Sequence, residues 1–372
     1  MKPALRRVLQ VLSVLLLLYL FLVSIKLMGT SFKLFGSDFA EQLIRTCSDP
    51  LIGLFIGILA TSLVQSSSTT TSLVVGFVGG GILPIECAIP IIMGANVGTT
   101  ITNILVSFTF VTRREDFRRA FAGATVHDFF NLLTVLLFFP IEMKFHIIQK
   151  MAFVLTGWFE GVGGVQFTSP LKMVVAPAAK GIKHFLLDNM GLADVTGGTV
   201  MLVGALVVLV LSLVYLVKLM RELVIGKAEV FLDRYLFRND LSAFVLGIGL
   251  TVAVQSSSIT TSLAIPLVGA GILTLARCYP FTLGANMGTT CTALLASLAT
   301  VGANGSTIGV TAAFAHLMFN ICGIAVFYPL KGIPIFLAKR LSEVAVRSKL
   351  LAVLFVLGVF FIIPIVVVFV TR

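Results

Sequence analysis

Gln65-Ser66-Ser67-Ser68-Thr69-Thr70-Thr71-Ser72 is written twice in this chain, the second time as Gln255-Ser256-Ser257-Ser258-Ile259-Thr260-Thr261-Ser262, 190 residues further on. At the same displacement Gly94-Ala95-Asn96-Val97-Gly98-Thr99-Thr100 returns as Gly284-Ala285-Asn286-Met287-Gly288-Thr289-Thr290. A third signature, His127 to Asn131, returns as His316 to Asn320, one residue out of step. Three blocks in one order are an internal duplication. Each block is a dense run of hydroxyls, amides or glycines inside apolar sequence. Polar groups there are costly unless something coordinates them, so the runs read as a site.

The surroundings are those of a membrane protein. Of 372 residues, 58% are hydrophobic and 12% charged, against roughly 25% charge in a soluble domain. Glu86 is the only acidic or basic residue in 51–112, and Arg277 the only one in 241–330. A pass needs about twenty apolar residues, which leaves room for roughly eight to ten, some partial. The net charge of +11 gathers between apolar segments, in 113–119, 218–238 and 331–349, as in cytoplasmic loops. No aromatic-interleaved basic face for nucleic acid accompanies it. The five cysteines have no CxxC spacing and read as small apolar packers.

The expected fold is an all-α polytopic membrane protein. Residues 1–50 hold a first span, at 8–23, and a connection read as an amphipathic surface helix. Residues 51–140 form repeat unit 1. Its first arm, 51–64, is too short to cross at 1.5 Å per residue. With the polar tip 65–72 and a second arm 73–78 it reads as a re-entrant hairpin. Residues 85–111 read as a spanning helix unwound at Gly94 to Thr100, and Pro140 as the end of the unit. Residues 141–240 hold an outer connection, a span and a cytoplasmic segment. Residues 241–330 form repeat unit 2 on the same plan, ending at Pro329, and 331–372 hold a basic segment and a last span. Charge placement starts the first unit outside and the second inside, the inverted repeat of a secondary transporter.

The chemistry follows from residue type. Ser hydroxyls with open N–H groups at a helix start make an oxyanion seat. Phosphate carries between one and two negative charges near neutral pH, which bound cations offset. Gln65, Ser66, Ser67, Ser68, Gln255, Ser256, Ser257 and Ser258 are the candidates. Carbonyl, amide and Thr oxygens seat a small hard cation, so Thr69, Asn96, Thr99, Thr100, Thr260, Asn286, Thr289 and Thr290 are candidate cation ligands, which the resemblance given below would make ligands of Na+. The competing account of the hydroxyls is interhelical hydrogen bonding, and of the glycine blocks small-residue helix packing. His127 with Asn131, and His316 with Asn320, share a helix face at i, i+4 and read as packing the repeats together. Asp128 has no counterpart, since Leu317 stands in the second copy. At its depth it is a functional candidate or a partner for Arg118 or Arg119. Glu86 and Arg277 read as caps on the helices they open, or as vestibule charges.

Gln65 to Ser68, Gly94 to Thr99, the run from Asp116-Phe117-Arg118-Arg119 to His127-Asp128, Gln255 to Ser258 and Tyr279 to Asn286 resemble the type II sodium-dependent phosphate cotransporter family. The resemblance covers about residues 51–329. It implies Na+-coupled uptake of inorganic phosphate with the two Gln-Ser-Ser-Ser stretches forming the site, and Na+ as coupling ion with no cofactor. Vertebrate members carry a large outer loop with cysteines and glycosylation sites, whereas 142–196 has neither, so the chain resembles a compact, bacterial member of a cell inner membrane. The absence of a carboxylate between Gln65 and Ile85 suggests an electroneutral cycle. A Na+ symporter of another oxyanion or dicarboxylate is the alternative. No catalytic constellation suggests an enzyme, and the oligomeric state is open.

Overall fold

The computed structural model describes residues 3–32, 34–35, 49–162, 170–231, 239–301 and 307–370. Most of the connection expected as a surface helix, with Cys47, and also Arg234 and Arg238, falls outside them. All regular structure in the described residues is helical. The chain opens with α1 (Pro3–Phe32). The first repeat follows as α2 (Pro50–Val64), α3 (Ser67–Gly79), α4 (Ile85–Gly98), α5 (Ile101–Ser107) and α6 (Arg114–Phe145). The connection holds α7 (Ile147–Val162), α8 (Pro170–His184) and α9 (Asp194–Phe231). The second repeat is α10 (Asp240–Val254), α11 (Ser257–Ser262), α12 (Ala264–Gly269), α13 (Leu275–Thr300) and α14 (Ile308–Phe327). After it come α15 (Gly332–Arg347), α16 (Lys349–Leu357) and α17 (Ile363–Val370). Among the described residues six helical stretches are long and apolar enough to cross a bilayer: Val8–Ser31, Ile85–Phe110, Arg114–Phe145, Asp194–Leu219, Ile308–Phe327 and Lys349–Val370. The arms α2 and α10 are apolar but shorter.

Both repeats start on the same device. Asp49 Oδ1 accepts from Leu51 N at 2.8 Å, with Pro50 at the first helical position, and Asn239 with Ser242 forms a capping box on α10. Each satisfies N–H groups that a helix start leaves open. Two expectations are corrected. The interruptions are shorter than the polar tips: only Gln65–Ser66 and Gln255–Ser256 break the helix, and the following hydroxyl residues form the first turns of the next one. The Gly-Ala-Asn-x-Gly-Thr-Thr blocks are not unwound. The second lies inside the continuous α13, and the first shows only a slight break at Thr99–Thr100. α6 runs through Pro140 to Phe145, where Glu142 caps α7 by accepting from Ile148 N at 2.6 Å and Gln149 N at 3.1 Å.

Close packing explains the glycines. A Cβ at Gly94 would stand 1.9 Å from Leu54 O, and one at Gly284 2.0 Å from Phe244 O. Gly94 and Gly98 press α4 onto α2, and Gly284 and Gly288 press α13 onto α10. Small residues let the backbones meet without breaking the helix. Between repeats the packing is reciprocal. α3 lies on α13 and α14 of the second repeat, while α11 and α12 lie on α5 and α6 of the first. α7 rests on α14 and α15 on α6, and α1 pairs with α9. The core holds Phe21, Ile25 and Met28 of α1 together with Phe117 and Phe121, which stack on Phe108 at 5.6 and 6.1 Å.

Polar contacts mark the ends of α6, a helix about 48 Å long at 1.5 Å per residue. Near its start Arg119 donates to Gly269 O at 2.9 Å and pairs with Asp116. Near its finish Gln149 donates to Glu86 Oε1 at 2.8 Å. Lys331 donates to Asp240 at 2.7 Å, and that bond with its carboxylate raises the Lys331 ammonium above its ordinary value.

Candidate functional site at the interface of the repeats

Each tip is turned by a glutamine in the left-handed region. Gln65 has φ 55° and Gln255 φ 57°, with N–H groups returned to Thr61 O and Thr251 O. A side chain in that region carries strain. Ser66 and Ser256 then cap α3 and α11, accepting from Thr69 N at 3.2 Å and Ile259 N at 3.4 Å. Ser67 and Ser68, like Ser257 and Ser258, therefore occupy first helical positions, whose N–H groups have no partner within the helix. These four serines are only 2–5% exposed. The second tip reaches into the first repeat: Ser258 Oγ donates to Thr99 O at 3.2 Å and Thr261 Oγ1 to Asn103 Oδ1 at 2.9 Å.

The hydroxyls divide by what remains free. Thr99, Thr100, Thr289 and Thr290 donate to carbonyls of their own helices at 3.0, 3.0, 3.1 and 2.7 Å. Thr260 donates to Ser256 O at 3.0 Å and Thr69 to Ser66 Oγ at 2.8 Å. With their protons committed, these six oxygens offer only lone pairs. Among the described residues the hydroxyls of Ser67, Ser68 and Ser257 meet no partner, so they retain protons to donate. The site thus carries donors at the helix starts and acceptors on α4, α13 and the capped threonines.

The two asparagines of the glycine blocks are held across the repeats. His127 Nε2 lies 2.8 Å from Asn286 Oδ1, and His316 Nε2 lies 3.4 Å from Asn96 Oδ1. Asn286 donates to Asn131 Oδ1 at 2.7 Å, and Asn131 donates to Asn96 O at 2.9 Å. The histidine signature thus joins the repeats, each histidine meeting the other half's asparagine. Asp128 is fully buried, and among the described residues neither carboxylate oxygen has a partner. Arg118 and Arg119 bind Glu115 and Asp116 instead, at 2.8 and 2.9 Å, which removes the ion pair offered for it. Glu86 meets Gln149, and Arg277 acts electrostatically on Asp240.

Two participants escaped the sequence analysis. Thr292 donates to Gln255 Oε1 at 2.8 Å; its counterpart Thr102 stands 190 residues earlier, a signal that extending the repeat would have caught. Asn103 matches Ala293, so the duplication carried no sign of it.

Apolar spans enclosing a duplicated polar site define a polytopic helical membrane protein, integral to the bilayer. The Na+/Pi-cotransporter family model matches residues 20–157 and 208–363, and the chain belongs to that family. It is 33% identical to sodium-dependent phosphate transport protein 2B of Homo sapiens over 94% of this chain and 63% of that protein. It is 34% identical to sodium-dependent phosphate transport protein 2A of Rattus norvegicus over 93% of this chain and 65% of that protein. The chain therefore spans somewhat less than two thirds of these relatives' length. No solved structure matches it.

Proposed function

We propose that this chain is a symporter that couples inorganic phosphate to Na+ by alternating access. Phosphate docks on Ser67, Ser68, Ser257 and Ser258, with Gln65, Ser66, Gln255 and Ser256 shaping the two tips. Two helix starts supply N–H groups and positive dipole ends, and the serine hydroxyls add donors without a buried protein charge. Na+ takes the acceptor-only oxygens of Thr69, Thr99, Thr100, Thr260, Thr289 and Thr290. Asn96 and Asn286 each keep one lone pair for it beside the imidazole bond. The observation that carries this assignment is the split itself, with hydroxyl protons left free on Ser67, Ser68 and Ser257 and committed on the threonines. Membership in a Na+/phosphate cotransporter family supports the same substrate pair.

The units 51–140 and 241–330 act as inverted repeats with re-entrant tips. In support, α4 opens at the end of α6 where Gln149 meets Glu86, whereas α12 closes at the opposite end, where Arg119 meets Gly269. The second end also carries Arg113, Arg114 and Arg118, which favours the cytoplasmic side of a cell inner membrane. Two Na+ with one divalent phosphate make the cycle electroneutral. The test is labelled phosphate uptake into proteoliposomes with and without a Na+ gradient. Accumulation only with the gradient is expected, and binding without accumulation would overturn the reading.

A further inference from the structure

Residues equivalent by sequence differ here in bonding. Three hydrogen bonds run in series: His127 to Asn286 at 2.8 Å and Asn286 to Asn131 at 2.7 Å across the interface, then Asn131 to Asn96 O at 2.9 Å within the first repeat. Exchanging the repeats turns these into His316–Asn96, Asn96–Asn320 and Asn320–Asn286. Only the first is made, stretched to 3.4 Å. Asn96 turns its amide to Ile92 O in its own helix at 3.1 Å, and Asn320 turns its amide to His316 O at 3.2 Å. Asn320 Oδ1 is left buried without a partner. All six side chains are 0–2% exposed, so solvent does not account for the difference.

A second pair divides the opposite way. Gln255 accepts from Thr292, whereas Thr102 Oγ1 is buried without a partner and Gln65 is exposed. One repeat has its asparagine engaged and its glutamine released; the other has the reverse. Two arrangements of the same parts coexist in one molecule, and each repeat carries the residues needed for the other's arrangement.

We infer that Asn131 and Asn320 are alternating positioning residues. Asn131 clasps the repeats in the state described here, and Asn320 closes the equivalent clasp when the carrier faces the opposite side. The inference rests on the alternating-access reading above. An unpartnered buried acceptor is costly, and a cost that passes from one repeat to the other keeps two facing states close in free energy, as a cycling carrier requires. A fixed strut would engage Asn320 in neither state.

Hydrogen–deuterium exchange on the purified chain in nanodiscs, without phosphate, tests this. The peptides to follow cover residues 79–86 at one end and 110–119 at the other. Asn131→Ala should change exchange several-fold in opposite directions at the two ends, and Asn320→Ala should produce the reverse pattern. No change in Asn320→Ala, or the same pattern in both variants, overturns the clasp. Should the alanine variants not fold, Asn131→Ser and Asn320→Ser carry the same comparison. Mirror-image exchange in a chain that accumulates no phosphate would leave the clasp standing and remove only the substrate assignment.

Discussion

Ser67 and Ser257 hold equivalent places at two helix starts, and neither hydroxyl is spent among the described residues. If both face one phosphate, neither substitutes for the other. A hydrogen bond to a charged group is worth about 1.5–3 kcal/mol, so Ser67→Ala and Ser257→Ala should each weaken apparent phosphate affinity roughly ten- to hundredfold. Uptake at matched protein levels checks this, and normal affinity in either variant would remove the shared site. The glutamines permit a cleaner separation of fold from function. Glycine enters the left-handed region without the penalty a side chain meets, so Gln65→Gly should hold or slightly raise thermal stability, while Gln255→Gly also loses the bond from Thr292 and should lower it. Transport should nonetheless fall, because the side chain goes while the turn stays. Full transport in both variants would reduce the glutamines to turn formers.

The arms are where small residues decide packing. Within α10, Gly247 and Gly249 stand two residues apart with opposite surroundings. A Cβ at Gly247 would lie 2.2 Å from Phe281 O, whereas nothing lies within 4 Å of one at Gly249. Overpacking a helix contact costs about 1–3 kcal/mol, while glycine to alanine in an open helical position gains up to about 1 kcal/mol. Gly247→Ala should therefore lower the unfolding temperature in detergent and Gly249→Ala should leave it level or raise it. Equal effects in the two variants would contradict the close approach of α10 and α13.

Charge balance belongs to the whole molecule. With two Na+ per divalent phosphate the membrane potential does no work on the loaded carrier. A third Na+ would add one charge, worth about 2.3 kcal/mol per 100 mV across the whole field, or roughly a fiftyfold change in accumulation. Such an ion would lodge at Asp128, which is buried and unpartnered among the described residues. Phosphate uptake at a fixed Na+ gradient, with the potential set by K+ and valinomycin, is expected to be insensitive to voltage. A phosphate-dependent current would refute that, and its loss in Asp128→Asn would assign the added charge to this carboxylate.

Duplication, membrane setting and the identity of the polar blocks are properties of residue order and composition, and they were legible in the sequence alone. A repeat at constant displacement needs no coordinates, and neither does the near absence of charge over two long stretches. The state of the backbone within those blocks was not legible. Gly94 and Gly98 suit an unwound segment and a close helix contact equally well, and only Leu54 O lying where a Cβ would go distinguishes them. Partners across the repeats were equally hidden. At i, i+4 His127 and Asn131 suggest a pair on one helix, yet each bonds to residues at least 35 positions away. Hydrogen bonds of that reach depend on how α4, α6, α13 and α14 are set against one another. The unequal bonding of Asn131 and Asn320 goes further still, because equivalent residues carry the same local information and only their packing tells them apart.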